Sequence, residues 1–578
     1  MFEQSCFHSD LKYDEACVKL KNEDKSNAWL YALSSDCVSC PYGRVSSIST
    51  ANYSVKFNTA RSMKWAVLNV DGSNEYISAK NISNAICKLS PNLGEYGSYE
   101  LLIRNDSCFL NTLIRPTNSY ITLLIVFGII ICFLIGISLS RQIWQLIQEK
   151  CMKHTDDQIA NDPTKKRRVK SIDTFRGYSL SYLIGDIQSK LINCAYNFEY
   201  RRISILFMIF VNSGAGGYYL LEHATWNGLL IGDLVFPCFM WIMGVCIPIA
   251  MSSQLSRGVL KLEMFFGILK RSILLFLIGV ALNTLDSIPQ LEKIRIFGVL
   301  QRFGVAYLVV ALMFLFLTPR KPKKIQSLMH QRLKDISILL PQWIIVLCIV
   351  VVHCMLTFKL SVPGCPTGYL GPGGRHEDGK YFNCTGGAAG YIDDLILTPK
   401  HVFQNLLIIS VYGSKPFDPE GILGCLTTIF QVFLGVQAGE ILLCYKDWKD
   451  RVVRWLLWAV FLAIVGFLAH VYVIPVNKNL WSLSFALVTT AFALGLLSAC
   501  YLLVDVARIW RGGPFRIPGM NALLIYIGHH LCYQIFPFHW RIGNMQSRTL
   551  VLVEAIWGVV LWTIIAYIMH RKRTYITL

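Results

Sequence analysis

Long apolar runs separated by short polar joints dominate the chain from about residue 203 onward. They predict spans near 203–222, 228–251, 264–283, 297–317, 340–360, 421–443, 453–475, 481–507, 520–538 and 550–570. With an earlier run at 119–140 they make about eleven, each long enough to cross a bilayer as a helix. Residues 1–118 read differently. Alternating text such as "YSVKFNTARSMKWAVLNVDG" and "SYELLIRNDSCFLNTLI" predicts a compact β-rich domain. A polar, basic linker at 141–202, with "KKRRVK" at 165–170, separates the two regions.

Composition agrees with a membrane protein. The 578 residues are 54% hydrophobic and only 16% charged, against roughly 25% charged in soluble domains. The formal charge of +19 raises nucleic acid as a partner, but its placement excludes that reading. The segments "SSQLSRGVLK", "TPRKPKK", "CYKDWKDR", "ARIWRGGPFR" and the tail "HRKRTYITL" all fall on one side of the predicted spans. By the positive-inside rule that side is cytosolic, and an odd number of spans leaves the C-terminus there.

The cysteines and glycosylation sequons fall on the other side. Cys6, Cys17, Cys37, Cys40, Cys87 and Cys108 precede the first span, and Cys365 and Cys384 share the loop 361–420. The sequons at Asn52, Asn81, Asn105 and Asn383 lie in the same two regions. An even cysteine set among sequons predicts disulfides in an oxidising lumen, with the pairing left open. Cys37-x-x-Cys40 also fits zinc or redox chemistry, but no second such motif or His cluster supports a metal. No signal peptide opens the chain, so either one precedes this sequence or the first span exports the N-terminus. Tyr575 and Leu578 form a Tyr-x-x-apolar sorting pattern on the cytosolic tail. The expected fold is a polytopic α-helical membrane protein of about eleven spans, carrying a small, disulfide-braced, β-rich lumenal domain.

Ionisable residues within spans are costly and therefore mark candidate sites. Glu222, His223, Asp233, Arg295, Arg302, His529 and His530 qualify, although mutual structural pairing explains any one of them as well. His223 stands out because it ends a span just ahead of the turn Trp226-Asn227-Gly228. Asn212 lies eleven residues earlier, with "SGAGG" (213–217) between them. On an unbroken helix the two would share a face about 16 Å apart. Glycines there predict a break, and a broken intramembrane helix lines a cavity. Glu222, the immediate neighbour, cannot face His223 along a helix. A desolvated imidazole stays neutral and serves as a general base or nucleophile. Arg295 and Arg302, seven apart, suit a phosphate-bearing ligand such as a nucleotide or coenzyme A. An internal Arg302–Asp233 pair is the competing reading. The loop text "GPGGRHEDGKYFNCTGGAAGYIDD" followed by "FDPEGILG" reads as an ordered lumenal lid or as a merely braced loop.

Several long motifs carry a resemblance. "SIDTFRG", "FVNSGAGGYYLLEHATWNGLLIGDLVFPCFMWIMG", "RIFGVLQRFGVAY", "DPEGILG", "FLGVQAGEILL", "PVNKNLWSLSF" and "PGMNALLIYIGHH" occur in order over 171–578. They resemble the heparan-alpha-glucosaminide N-acetyltransferase family. The N-terminal domain is similar only in size, cysteine content and position. The resemblance implies that 203–578 is a catalytic transmembrane domain in the lysosomal membrane, forming a homodimer. It would move acetyl from cytosolic acetyl-CoA, a co-substrate, to the terminal glucosamine of heparan sulfate, with no metal. The family's active-site histidine and upstream asparagine fall on His223 and Asn212. Trp226, Asn227, Asp233, Arg295 and Arg302 are then the candidates for holding acetyl-CoA. Acetylation of His223 and direct transfer with His223 as base both stay open. One departure from the family pattern is the insertion at 178–202, between "SIDTFRG" and the second span. The competing classes are a secondary transporter and a receptor or adhesion protein, which would leave the intramembrane ionisable set unexplained.

Overall fold

A computed structural model describes residues 6, 10–24, 27–48, 53–70, 72–159, 205–285, 290–319, 332–507, 509, 517–543 and 545–574. Asn52, the basic run 165–170, the insertion 178–202, Tyr575 and Leu578 lie outside these residues.

The described residues of the N-terminal region pair nine strands into two sheets. These are β1 (Glu15–Asn22), β2 (Ala28–Ser34), β3 (Tyr42–Ile48), β4 (Tyr53–Asn58), β5 (Met63–Leu68), β6 (Tyr76–Ile77), β7 (Ala85–Leu89), β8 (Ser98–Arg104) and β9 (Ser107–Ile114). One sheet has the order β4-β1-β8-β9, the other β6-β3-β2-β5-β7. The period-2 pattern sends Val18, Leu20, Val55, Phe57 and Leu101 from the first sheet and Leu30, Trp65 and Val67 from the second into one core. All eight candidate cysteines are paired, as Cys6–Cys17, Cys37–Cys40, Cys87–Cys108 and Cys365–Cys384. Asn81, Asn105 and Asn383 are exposed.

Eight described helices are long and apolar enough to cross a membrane. Chain-order labels are α1 (Ser119–Ile159), α2 (205–212), α3 (Val235–Ser256), α4 (Lys261–Leu282), α5 (Val299–Leu317), α6 (Leu340–Lys359), α7 (Ala388–Ile396), α8 (Leu407–Tyr412), α9 (Ile422–Cys444), α10 (Trp448–Tyr472), α11 (Leu483–Tyr501), α12 (Ala522–Leu531) and α13 (Arg548–Arg571). The eight long spans run through α3–α6, α9–α11 and α13. The other three expected spans take different forms. The 119–140 run is the apolar start of the 41-residue α1. The 203–222 run stops as helix at 212, where Gly214, Gly216 and Gly217 adopt left-handed φ of +86°, +67° and +71°. The 520–538 run gives only the ten-residue α12.

Helix α9 is the centre of the body, buried along nearly its whole length. It crosses α3 with the two backbones almost touching. A Cβ at Gly244 would lie 1.9 Å from the Val432 carbonyl oxygen, and one at Gly435 would lie 2.0 Å from that of Trp241. Only glycine permits this approach, as is usual where helices pack in lipid.

The β-domain sits on the face of the body where 213–234, 361–420, 476–482 and the start of α13 emerge. Asp36 ties it down: its Oδ2 accepts from Thr225 Oγ1 at 2.7 Å and meets Arg61 at 2.8 Å. The Asp36 carbonyl accepts from Tyr412 OH at 2.6 Å, and the Ser39 carbonyl accepts from the Glu377 amide at 2.8 Å. On the same face Arg548 bonds Asp14 and Glu95 of the domain and the Gly217 carbonyl of the body. The helices α3 and α9 both start at this face and run away from it for 22 and 23 residues, long enough to reach the other side of a bilayer.

Candidate active site

The break after α2 creates the site. Past the left-handed glycines the chain forms short 3-10 turns and returns as α3, so 213–234 is a folded turn at the domain face. Gly232 makes the return possible. A Cβ there would meet the carbonyl oxygens of Glu222 and Leu221 at 2.6 and 2.7 Å. The next residue, Asp233, is fully buried. Its Oδ2 accepts from the backbone amides of Ala224 and Leu230, both at 3.0 Å. Its Oδ1 lies 2.9 Å from His223 Nδ1 and 3.4 Å from Lys478 Nζ. One carboxylate thus holds both the turn and the imidazole.

Lys478 arrives on the 476–482 turn, with its Nζ 2.9 Å from His223 Nδ1. Nδ1 cannot both donate to Asp233 and accept from Lys478. The Asp233–His223 bond with Lys478 balancing the carboxylate keeps every group in its ordinary charge state. It leaves Nε2 as the nitrogen with a free lone pair. Burial pushes the His223 pKa below its ordinary value, and the Lys478 ammonium pushes it further, outweighing the opposing pull of Asp233. The ring is nevertheless reachable, since 46% of its side-chain surface is open.

It opens on a cavity of about 950 Å³, the upper end of the size range of ligand sites. His223, Lys478, Glu420 and Asn212 line its domain-face end, and mostly apolar side chains of α3, α4, α5 and α12 line the rest. Toward the opposite face the wall carries Gln254, Glu263, Lys270 and Arg271. Arg271 lies over the Tyr307 ring at 4.7 Å, and its Nε is buried with no hydrogen-bond partner among the described residues.

The remaining candidates fall elsewhere. Asn212 lines the same cavity as His223, but its amide bonds His529 Nε2 at 3.0 Å rather than the His223 ring. His529 Nδ1 lies 3.2 Å from the Ile525 carbonyl, which leaves Nε2 to accept. Glu222 does not line the cavity. His530 does. Arg295 forks onto Asp418, with Nε and Nη2 at 2.9 and 2.7 Å from its two oxygens, and Nη2 also meets Glu420. Arg302 is fully buried, donates to the Gly421 carbonyl at 2.9 Å and stacks on Trp481. Neither arginine lines the cavity, although Arg302 Nε and Nη1 are buried with no hydrogen-bond partner among the described residues. Arg302 does not pair with Asp233. Trp226 donates to the Leu370 carbonyl and Asn227 pairs with Asn477, so these two brace the turns. Among the described residues no cluster of three metal-ligating side chains occurs.

Lys478, Glu420, Lys270 and Arg271 were not singled out from sequence. Lys270-Arg271 had a legible signal, a basic pair inside the apolar run 264–283. Lys478 had none, since a lysine in a loop is unremarkable until the loop folds onto His223.

No protein-family model matches the chain. It is 34% identical over 611 residues to heparan-alpha-glucosaminide N-acetyltransferase of Mus musculus, a match covering 98% of this chain and 89% of the relative. It is 36% identical over 616 residues to the protein of the same name from Homo sapiens, covering 98% and 88%.

Proposed function

The chain belongs to the heparan-alpha-glucosaminide N-acetyltransferase family, and on that premise we propose that it moves acetyl from acetyl-CoA to the non-reducing terminal glucosamine of heparan sulfate. The observation that carries the reading to residues is the Asp233–His223 pair opening on a deep cavity. The amine enters at the domain face as an ammonium. His223 Nε2 takes a proton from it, and the freed nitrogen attacks the thioester carbonyl carbon. The C–S bond breaks as the C–N bond closes. The departing sulfur takes the second nitrogen proton, giving coenzyme A thiol and the N-acetylated sugar, and His223 returns its proton to the lumen. Asp233 holds the tautomer that presents Nε2. Asn212 bonds His529 and lines the same cavity, and its remaining amide N–H is the group assigned to the developing oxyanion.

The opposite-face half of the cavity suits the donor. Apolar walls accept the pantetheine arm, and Lys270 with the orphaned Nε of Arg271 offers cationic donors to its polar groups. This replaces Arg295 and Arg302 in that role. In this reading the β-domain, the disulfides and Asn81, Asn105 and Asn383 face the lysosomal lumen, while the basic joints and the tail face the cytosol. The family's homodimer and lysosomal residence belong to the same proposal. No described feature favours the transporter reading.

Membranes containing the protein, given labelled acetyl-CoA and glucosamine, test this. Labelled N-acetylglucosamine is expected with the unmodified protein and not with His223→Ala. No transfer by the unmodified protein defeats the enzyme reading, and a fully active His223→Ala defeats the site. Acid-quenched protein carrying stoichiometric acetyl on His223 would replace direct transfer with the acetyl-imidazole route.

A further inference from the structure

The acceptor amine needs a partner that the transfer chemistry does not supply. Asp233 is already balanced by Lys478, and His223 is held neutral, so neither offers an ammonium a counter-charge. The neighbouring cluster does. Arg295 is a single cation facing two carboxylates, Asp418 and Glu420, and forks onto Asp418 with both Nε and Nη2. Arg295 thus takes both oxygens of Asp418 and one of Glu420. Arg302, the next cation, is turned to the Gly421 carbonyl and Trp481 and does not line the cavity.

One carboxylate of this cluster faces inward. Glu420 lines the cavity beside His223 and Lys478, while Asp418 and Arg295 do not. It is 7% exposed, and Arg295 occupies only its Oε2. Oε1 has no hydrogen bond among the described residues, and the residue lines the cavity. Burial opposes ionisation of this carboxyl, but Arg295, Arg302 and Lys478 outweigh it and hold the group below the ordinary glutamate range. A charged, nine-tenths buried carboxylate with one free oxygen is a cation receptor.

We propose that Glu420 is the residue that recognises the acceptor's ammonium group, with its Oε1 binding the charged amine at the domain-face end of the cavity. The inference rests on the acetyltransferase reading and names its acceptor subsite. It makes the protein selective for amino sugars over neutral sugars before any chemistry occurs. Glu420 would hold the ammonium while one of its protons leaves to His223. The neutral acetamide product has no charge for Glu420 to hold, which favours release.

Binding to the full-length protein in detergent tests this without turnover. The probes are glucosamine, which is an ammonium at mildly acidic pH and cannot be acetylated while acetyl-CoA is absent, and glucose. The unmodified protein is expected to bind the charged sugar about 10–100-fold more tightly, the range for a buried charge-assisted contact. Glu420→Gln should remove that preference while leaving glucose binding and the KM for acetyl-CoA unchanged. A merely structural loss would weaken both sugars together. Equal binding of the two sugars by the unmodified protein overturns the proposal, as does a preference that survives Glu420→Gln. Should Glu420→Gln fail to fold, Glu420→Asp, which keeps the charge but shortens its reach, is expected to weaken the charged sugar alone, and an unchanged ratio overturns the proposal. If the protein transfers no acetyl group, the enzyme reading falls separately, because the binding ratio is measured without it.

Discussion

Two ionic clusters lie beneath the β-domain, built from similar parts. Arg548 meets Asp14 and Glu95, reaches the Gly217 carbonyl and stacks on Tyr218 at 4.7 Å. Lys478 meets Asp233 and His223 only a few residues of turn away from that carbonyl. In the first cluster every group points at protein, and the arginine side chain is 8% exposed. In the second, the imidazole opens on a 950 Å³ cavity. Buried charge alone therefore does not mark chemistry. A closed cluster joins two parts of the fold, and an open one keeps a lone pair available.

The sharpest way to break this distinction is to remove the open group. His223→Ala is expected to lower acetyl transfer about 10²–10⁴-fold, the usual contribution of a positioned base. The thermal midpoint of the detergent-purified protein should move little, because a half-open side chain leaves no buried partner stranded except Asp233, which keeps Lys478. A large fall in midpoint with modest loss of transfer would place His223 in the closed class.

Arg548→Ala is the converse. It leaves Asp14 and Glu95 without their cation at a buried joint, and breaking such a pair costs about 3–5 kcal/mol. Urea or thermal unfolding should show that loss, while the rate per folded molecule stays near the unmodified value. Asp233→Asn comes next. It keeps the size of the side chain but not the charge that selects the His223 tautomer, so kcat should fall about 10²-fold with the KM for acetyl-CoA held. An equal rise in that KM would show that Asp233 acts on the donor instead.

The bundle was legible in the apolar runs because membrane thickness imposes their length. The β-domain was legible because a two-faced sheet imposes alternation. The three irregular spans were less so. "SGAGG" announced a break, but how far the chain departs from helix depends on Gly232 packing against the carbonyls of 221 and 222, a contact between residues ten apart in a turn. His223 and Asp233 were visible as costly ions. Their pairing was not, because it exists only once that turn is folded. The partners of Arg295 and Arg302 were illegible for a related reason. Their seven-residue spacing suggested convergence on a ligand, while Asp418, Glu420 and the Gly421 carbonyl, more than a hundred residues away in sequence, already engage them.

Lys478 offers the smallest effect and the finest discrimination. It lowers the His223 pKa by placing an ammonium 2.9 Å from Nδ1. A base works only when neutral, so transfer must rise with pH through the His223 pKa and be lost below it. Lys478→Met removes the depressing charge and leaves Asp233 free to stabilise the imidazolium. The acidic limb of the rate profile should therefore move to higher pH, with transfer lost first in the acidic range and nearly kept at neutral pH. Lys478→Arg should leave the limb in place. A limb that stays put in Lys478→Met, or moves to lower pH, would mean that Lys478 serves only to close the turn, as Arg548 closes the joint.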